Sequence, residues 1–263
     1  YNRIGTSGMA GVLKGEMDDL LYANNQTADP FMVSALVRNG SVHVDGDMRV
    51  RADLKISATS VVGLSSSELD SILAQNASYA RADARIVMPA SGTVNHFVGG
   101  LLQVAASDST TALSKGSLST GGAWSSAFLG ARNEVNHRAD ALMDNVIVTT
   151  GGGVQVLANT TQSLTTNLSG KVDGFLFSAA NTLTLNEVVG GTTARIQAGR
   201  LETAGDLSVV ADNASTIDSV NQATVDGAGA DSHVIAANVI GWSGLNASRA
   251  TLASTSGFKS ALG

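Results

Sequence analysis

The side chains able to do chemistry are few and scattered. The histidines, His43, His96, His137 and His233, show neither an i, i+4 pair nor an HExxH pattern, so their spacing makes no zinc site. Cysteine is absent, which removes thiolate ligands, a thiol nucleophile and a disulfide framework. Serines are abundant, but no GxSxG turn presents one, and a hydroxyl needs a base within hydrogen-bond reach to become a nucleophile. "VVGGTTA" has paired glycines without GxxxxGK[ST], so it is no phosphate cradle. The expectation is no catalytic residue, no cofactor and no metal.

The acidic residues point the same way. "VDG" recurs at Val44-Asp45-Gly46, Val172-Asp173-Gly174 and Val225-Asp226-Gly227, and Asp-Gly marks a turn. Asp45 with Asp47, or Asp226 with Asp231, falls short of the six or more oxygens that calcium takes. Arg195, Arg200, Glu202 and Asp206 form the densest charged group, and outward alternation along a strand explains them. Asn25, Asn39, Asn76, Asn159, Asn167, Asn213 and Asn246 each open an N-x-Ser/Thr sequon. They are possible glycosylation sites, or corner residues that satisfy turn geometry and stack in ladders.

What must carry these residues is a set of strands. In Ala194 to Ser215, Ala194, Ile196 and Ala198 alternate with Arg195, Gln197 and Gly199; Leu207, Val209 and Ala211 alternate with Ser208, Val210 and Asp212. That places Val209 inward and Val210 outward. Ala141 to Thr160 overlays this stretch without a gap, Met143 on Ile196, Val148 on Leu201, Gly152 on Gly205, Val154 on Leu207 and Val156 on Val209. Weaker echoes follow at shorter intervals, with Leu118, Trp124 and Phe128 in one and Ile235, Ala237 and Trp242 in another. The spacing predicts a β-solenoid whose core rungs include Val148, Val154, Val156, Ile196, Leu201, Leu207 and Val209. At about 20 to 25 residues per coil it has roughly ten to twelve coils and is on the order of 50 Å long. Trp124 and Trp242 fall on inward positions.

Composition agrees: 29 Gly, 2 Pro and few aromatics imply a narrow core of small and branched side chains. The net charge of −6 is dispersed without a basic stripe, which disfavours nucleic acid. No apolar run is long enough for a membrane span. The start at Tyr1, with no Met and no leader, suggests a piece cut from a longer protein. Gly8 to Leu21 carries apolar residues at helical spacing, and Ser65 with Glu68 resembles a capping box ahead of Leu69, Ile72 and Leu73. Each is either a short helix decorating the stack or a coil with a poor pattern. The chain thus divides into residues 1–83, atypical coils in which helical insertions are one of the two readings, and 84–263, regular coils.

"TTARIQAGRLETAGDLSVVADNASTID" and "ALMDNVIVTTGGGVQVLANTTQS" resemble the repeats of large bacterial exoproteins, the filamentous haemagglutinin and leukotoxin-like filamentous adhesin group. The resemblance covers about Ala84 to Leu252. It implies an all-β, right-handed parallel β-helix, secreted through an outer-membrane pore or autotransporter barrel to the cell surface. There it would act without catalysis as an adhesive or structural stalk. Its partners would be other copies of itself and ligands on host or neighbouring cells. The alternative is a carbohydrate-active β-helix of the polysaccharide lyase or tailspike sort, which calls for an outward carboxylate pair about 5 to 10 Å apart across coils.

Overall fold

A computed structural model describes residues 20–26, 31–66, 69–88 and 95–241. They form ten strands of one sheet: β1 Leu20–Gln26, β2 Phe31–Arg38, β3 His43–Val44, β4 Met48–Ser66, β5 Leu69–Val87, β6 Asn95–Val98, β7 Leu102–Thr150, β8 Val154–Thr203, β9 Leu207–Asp226 and β10 Ala230–Ile240. Every pairing is parallel, and the sheet is not closed into a barrel.

Parallel neighbours require a long return path between them, and here the path is itself strand. Met48 pairs with Leu102, Leu102 with Val154 and Val154 with Leu207, so the outgoing arms come back beside themselves every 52 to 54 residues, and the returning arms every 49 to 57. Within β7 it runs out through 102–122, bends at the Gly122/Trp124 irregularity and runs back through 124–150. The outgoing and returning arms pack face to face. Leu102, Val104 and Ala106 share one apolar cluster with Ala139, Ala141, Met143, Val146 and Val148. Leu118 meets Leu129 near the far end, and Ala112 meets Val135 between them.

Period-two alternation is what makes this possible. It gives each arm one inward face, and because strands in adjacent layers pair in register, each inward position becomes a column. One column runs Val50, Val104, Val156, Val209. Burying a Val or Leu in such a column stabilises the fold by about 1.5–3 kcal/mol. Glycine is required where the layers close. A Cβ on Gly151 would lie 2.3 Å from the Gly99 carbonyl oxygen. One on Gly190, at φ +149, would lie 1.9 Å from the His137 carbonyl oxygen.

Several expectations change. The gapless overlay of Ala141–Thr160 on Ala194 onward is the pairing register itself, down to Gly205 N–H donating to the Gly152 carbonyl at 2.9 Å. The shorter echoes are not successive layers: Leu118 stacks on Leu64 and Gly170, and Ile235 on Leu183. A layer takes about twice the expected 20 to 25 residues, so the described chain makes four outgoing and five returning arms, and the stack is squat. No helix occurs among the described residues; Ser65 lies in β4 and Leu69, Ile72 and Leu73 in β5. Gly8 to Asp19, Ser67 and Glu68 lie outside the described residues. The boundary expected at 83/84 falls inside β5. Trp124 is 65% exposed at an arm tip rather than inward, and Trp242 lies outside the described residues.

Candidate functional site

The least expected feature is polar and internal. Asn76, Asn133, Asn186 and Asn238 form one column on the returning arms, facing a column of Ser60, Ser114, Thr166 and Ser219 on the outgoing arms. Asn76 Nδ2 donates to Asn133 Oδ1 at 2.8 Å, Asn133 Nδ2 to Asn186 Oδ1 at 2.9 Å, and Asn186 Nδ2 to Asn238 Oδ1 at 2.9 Å. Each asparagine oxygen also accepts a hydroxyl from the facing arm: Ser60 at 2.9 Å, Ser114 at 2.7 Å, Thr166 at 2.9 Å and Ser219 at 3.1 Å. The amides therefore bond along the stack and across it. A buried polar network of this kind is stable only with every partner in place.

Beside it lies a Ser-His-Asp constellation. His137 Nε2 is 2.9 Å from Ser78 Oγ; its Nδ1 is 2.7 Å from Thr110 Oγ1 and 3.1 Å from Asp108 Oδ1. Thr110 donates to Asp108 Oδ1 at 2.9 Å. The ring is thus held at both nitrogens, Nε2 facing the Ser78 hydroxyl and Nδ1 facing Thr110 and Asp108. The distances are those of an activated nucleophile. Access is missing: Ser78 is 3% exposed, Asp108 2% and His137 0%. A pocket lined by Leu73, Gln75, Gly130, Arg132 and Leu183 touches none of them. The cluster is a packed core element.

His96 is buried too, in register with Val148, and neither ring nitrogen has a partner among the described residues. Burial pushes its pKa below the usual histidine value.

The outer face of the returning arms carries a network of ion pairs. Arg81 bridges Asp140 at 2.7 Å and Asp83 at 4.0 Å; Arg85 also pairs with Asp83, and Arg132 and Tyr79 both contact Glu134. Asp83 and Asp140 are register partners on neighbouring strands, so an outward carboxylate pair across layers does exist, joined by the guanidinium of Arg81. On β4, burial pushes the Asp53 carboxyl up, but hydrogen bonds from Arg51 and Ser107 outweigh it and hold the pKa below the ordinary aspartate value. At the tips Trp124 lies 6.2 Å from Phe177, beside Phe175 at 81% exposure.

The expected sites divide. Asn76 is 1% exposed with its amide committed to the internal ladder, which leaves no atom for a glycan; it is a core residue. Asn39, Asn159, Asn167 and Asn213 are exposed, and Asn39 ends β2 at φ 56. Asn25 is placed only by its backbone register with Asn76, and Asn246 lies outside the described residues. Val148, Val154 and Val156 are fully buried, Ile196 and Leu201 partly, while Leu207 and Val209 are 53% and 44% exposed because they belong to the last described layer. Asp173 and Asp226 stack at successive tips as turn residues. His43 and His233 are exposed. No group of three or more potential metal ligands occurs among the described residues.

Sequence reasoning missed the Asn column, the Ser78–His137–Asp108 cluster and the Arg81 bridge, because their members lie 29 to 59 residues apart and meet only in the correct register. The signal was present as Asn-x-Ser at Asn76 and Asn-Glu-Val at both Asn133 and Asn186. A scan of protein-family models finds no match, and searches of curated proteins and of solved structures find no similar chain.

Proposed function

We propose that this chain is a right-handed parallel β-solenoid segment of a large secreted bacterial surface protein, serving without catalysis as an adhesive or structural stalk. The observation that carries the reading is the column: the same residue types recur layer after layer, Val50, Val104, Val156, Val209 and Asn76, Asn133, Asn186, Asn238. Such an array makes stiffness and repeated side-chain ladders, which is what a stalk needs. Its partners are further copies of itself and ligands on host or neighbouring cells, and it reaches the surface through an outer-membrane pore. No helix among the described residues is long and apolar enough to cross a membrane, which leaves β-barrels aside.

The test is antibody labelling of intact and permeabilised source cells with electron microscopy of the labelled material. Label on intact cells, lost on protease shaving and lying on extended appendages, supports the reading. Label only after permeabilisation ends it. A carbohydrate-active β-helix remains the second reading because Asp83 and Asp140 are paired across layers. Depolymerisation of a bacterial or host polysaccharide, abolished by Asp140→Asn, would favour that reading over the stalk.

A further inference from the structure

We infer that the bulged tip formed by Trp124, Phe175, Leu176 and Phe177 is a wedge that seats in the interfacial layer of a lipid bilayer with zwitterionic headgroups. The inference goes beyond the stalk reading and holds with or without it.

The tip is where the third layer carries one residue more than the second. Gly122 pairs with Gly174 and Trp124 with Phe177, so Ala123 alone stands opposite Phe175 and Leu176. An insertion of this kind bends the strand and re-aims the side chains at the bend. Gly174 makes the return tight, since a Cβ there would lie 2.3 Å from the Phe177 carbonyl oxygen. Ser178 fixes the base of the tip: its Oγ donates to the Asp226 carbonyl at 2.6 Å and its N–H to the Gly229 carbonyl at 2.9 Å. Phe175 is left 81% exposed, Trp124 65%, Leu176 47% and Phe177 39%. The third tip stands between the tips at 122–124 and 227–229, both described, so this exposure is not that of an end of the stack.

The core has no use for these side chains. The chain holds 2 Trp, 3 Tyr and 6 Phe, and three of those aromatics meet here, whereas the neighbouring tip at 227–229 is Gly-Ala-Gly and the corners at 151–153 and 204–206 are Gly-Gly-Gly and Ala-Gly-Asp. At the fractions open they offer on the order of 500 Å² of apolar surface. That is the size of patch that marks an interaction site, and it falls short of the roughly 800 Å² that each partner buries in a stable protein complex. A sugar site calls for polar groups converging on the rings, and those beside them are committed elsewhere: the Ser178 hydroxyl to Asp226, and Lys171 Nζ to Asp173 Oδ2 at 2.6 Å. A bilayer asks for what is present, Phe and Leu outermost for the acyl boundary and a Trp beside them for the headgroup level. The register partners Asp173 and Asp226 set two carboxylates against one Lys171, which selects zwitterionic over anionic headgroups.

The experiment uses the 263-residue chain carrying Trp242→Phe, which leaves Trp124 as its one tryptophan. It is titrated with phosphatidylcholine vesicles, with the same vesicles brominated on their acyl chains, and with vesicles containing phosphatidylserine, each at low and high salt. The expected result is a blue shift of the Trp124 emission, quenching by the brominated lipid, and partitioning that phosphatidylserine does not strengthen and salt does not weaken. Phe175→Ser with Leu176→Ser should partition at least about tenfold more weakly at an unchanged urea midpoint. Co-sedimentation of the unaltered chain and of this tip variant with the same vesicles reads the contrast without the tryptophan substitution. No shift and no co-sedimentation with any vesicle, binding confined to phosphatidylserine and lost in salt, or a tip variant that partitions like its parent overturns the inference. So does a shift produced by a soluble oligosaccharide such as chitohexaose and not by vesicles, which would make the tip a sugar platform. A shift that grows with protein concentration in the absence of lipid, and not with vesicles, overturns it in favour of a contact between copies.

Discussion

Val156 and Val209 stand in one column, a single layer apart, and differ from complete burial to 44% exposure. Asn133 and Asn238 make the same comparison in polar terms: the first is bonded above, below and across, the second on one side only. Residue type and strand phase are the same within each pair. What differs is whether another described layer lies on top. In a stack each layer contacts only its neighbours, so the contribution of a residue is set by its layer as much as by its identity.

The largest expected contrast is therefore between layers. Val156→Asp buries an unpaired carboxylate and costs several kcal/mol, or fails to fold, whereas Val209→Asp leaves its carboxylate in reach of water and costs much less. Urea midpoints measure both. Equal losses would mean that the last layer is as closed as the interior. The inward phase of Val209 and the outward phase of Val210 follow the register with Val156 and Leu157, yet both valines are more than two-fifths exposed, so their Asp variants should differ by less than the Val156 and Val209 pair.

Next comes the ladder. Asn133→Leu takes one partner each from the Asn76 amide and the Asn186 oxygen inside the core, leaving Leu113, Ser114 and Thr166 to hold them, and should cost about 1–3 kcal/mol. Asn238→Leu removes one end and should cost less than about 1 kcal/mol. Hydrogen exchange of the amides near Ser114 and Thr166 should rise for the first variant and change little for the second.

A pH-dependent loss of stability is expected from His96. Its folded pKa is depressed by burial, so the unfolded chain binds a proton that the folded chain refuses. Stability should fall as pH drops below about 6.5, the unfolded histidine value, and continue falling until the folded pKa is passed. His96→Leu should flatten the curve between pH 7 and 5; an unchanged slope would assign the acid sensitivity elsewhere. The smallest effect is Trp124→Ala, below about 0.5 kcal/mol in thermal unfolding, because the ring is 65% exposed at a tip.

Strand character, parallel stacking and one correct register were legible in the sequence, because apolar alternation at Val154, Val156 and Ala158 repeats without a gap at Leu207, Val209 and Ala211. The layer length was not. Outgoing and returning arms carry the same alternation, so a match between the two arms, such as Leu118 on Val148, looks like a repeat although the residues lie in different columns. The internal polar residues were hidden for a related reason. Alternation analysis assigns Asn133 and His137 to the solvent side by their polarity, and only the partners Ser114, Asn186, Ser78 and Asp108, brought from other layers, make them interior. The exposure of Leu207 and Val209 depends on what lies beyond the last layer, which no pattern within the strand encodes.

The account turns on the 52- to 54-residue layer, and a cross-link measures it directly in a chain that has no cysteine of its own. Lys115 and Asn167 are exposed register partners on adjacent strands, whose spacing of about 4.8 Å suits a disulfide. Lys115→Cys with Asn167→Cys should oxidise nearly completely to an intramolecular disulfide. Lys115→Cys with Arg138→Cys, the pair that a layer of 20 to 25 residues would bring together, should remain reduced. The opposite pattern would contradict the register and the columns built on it.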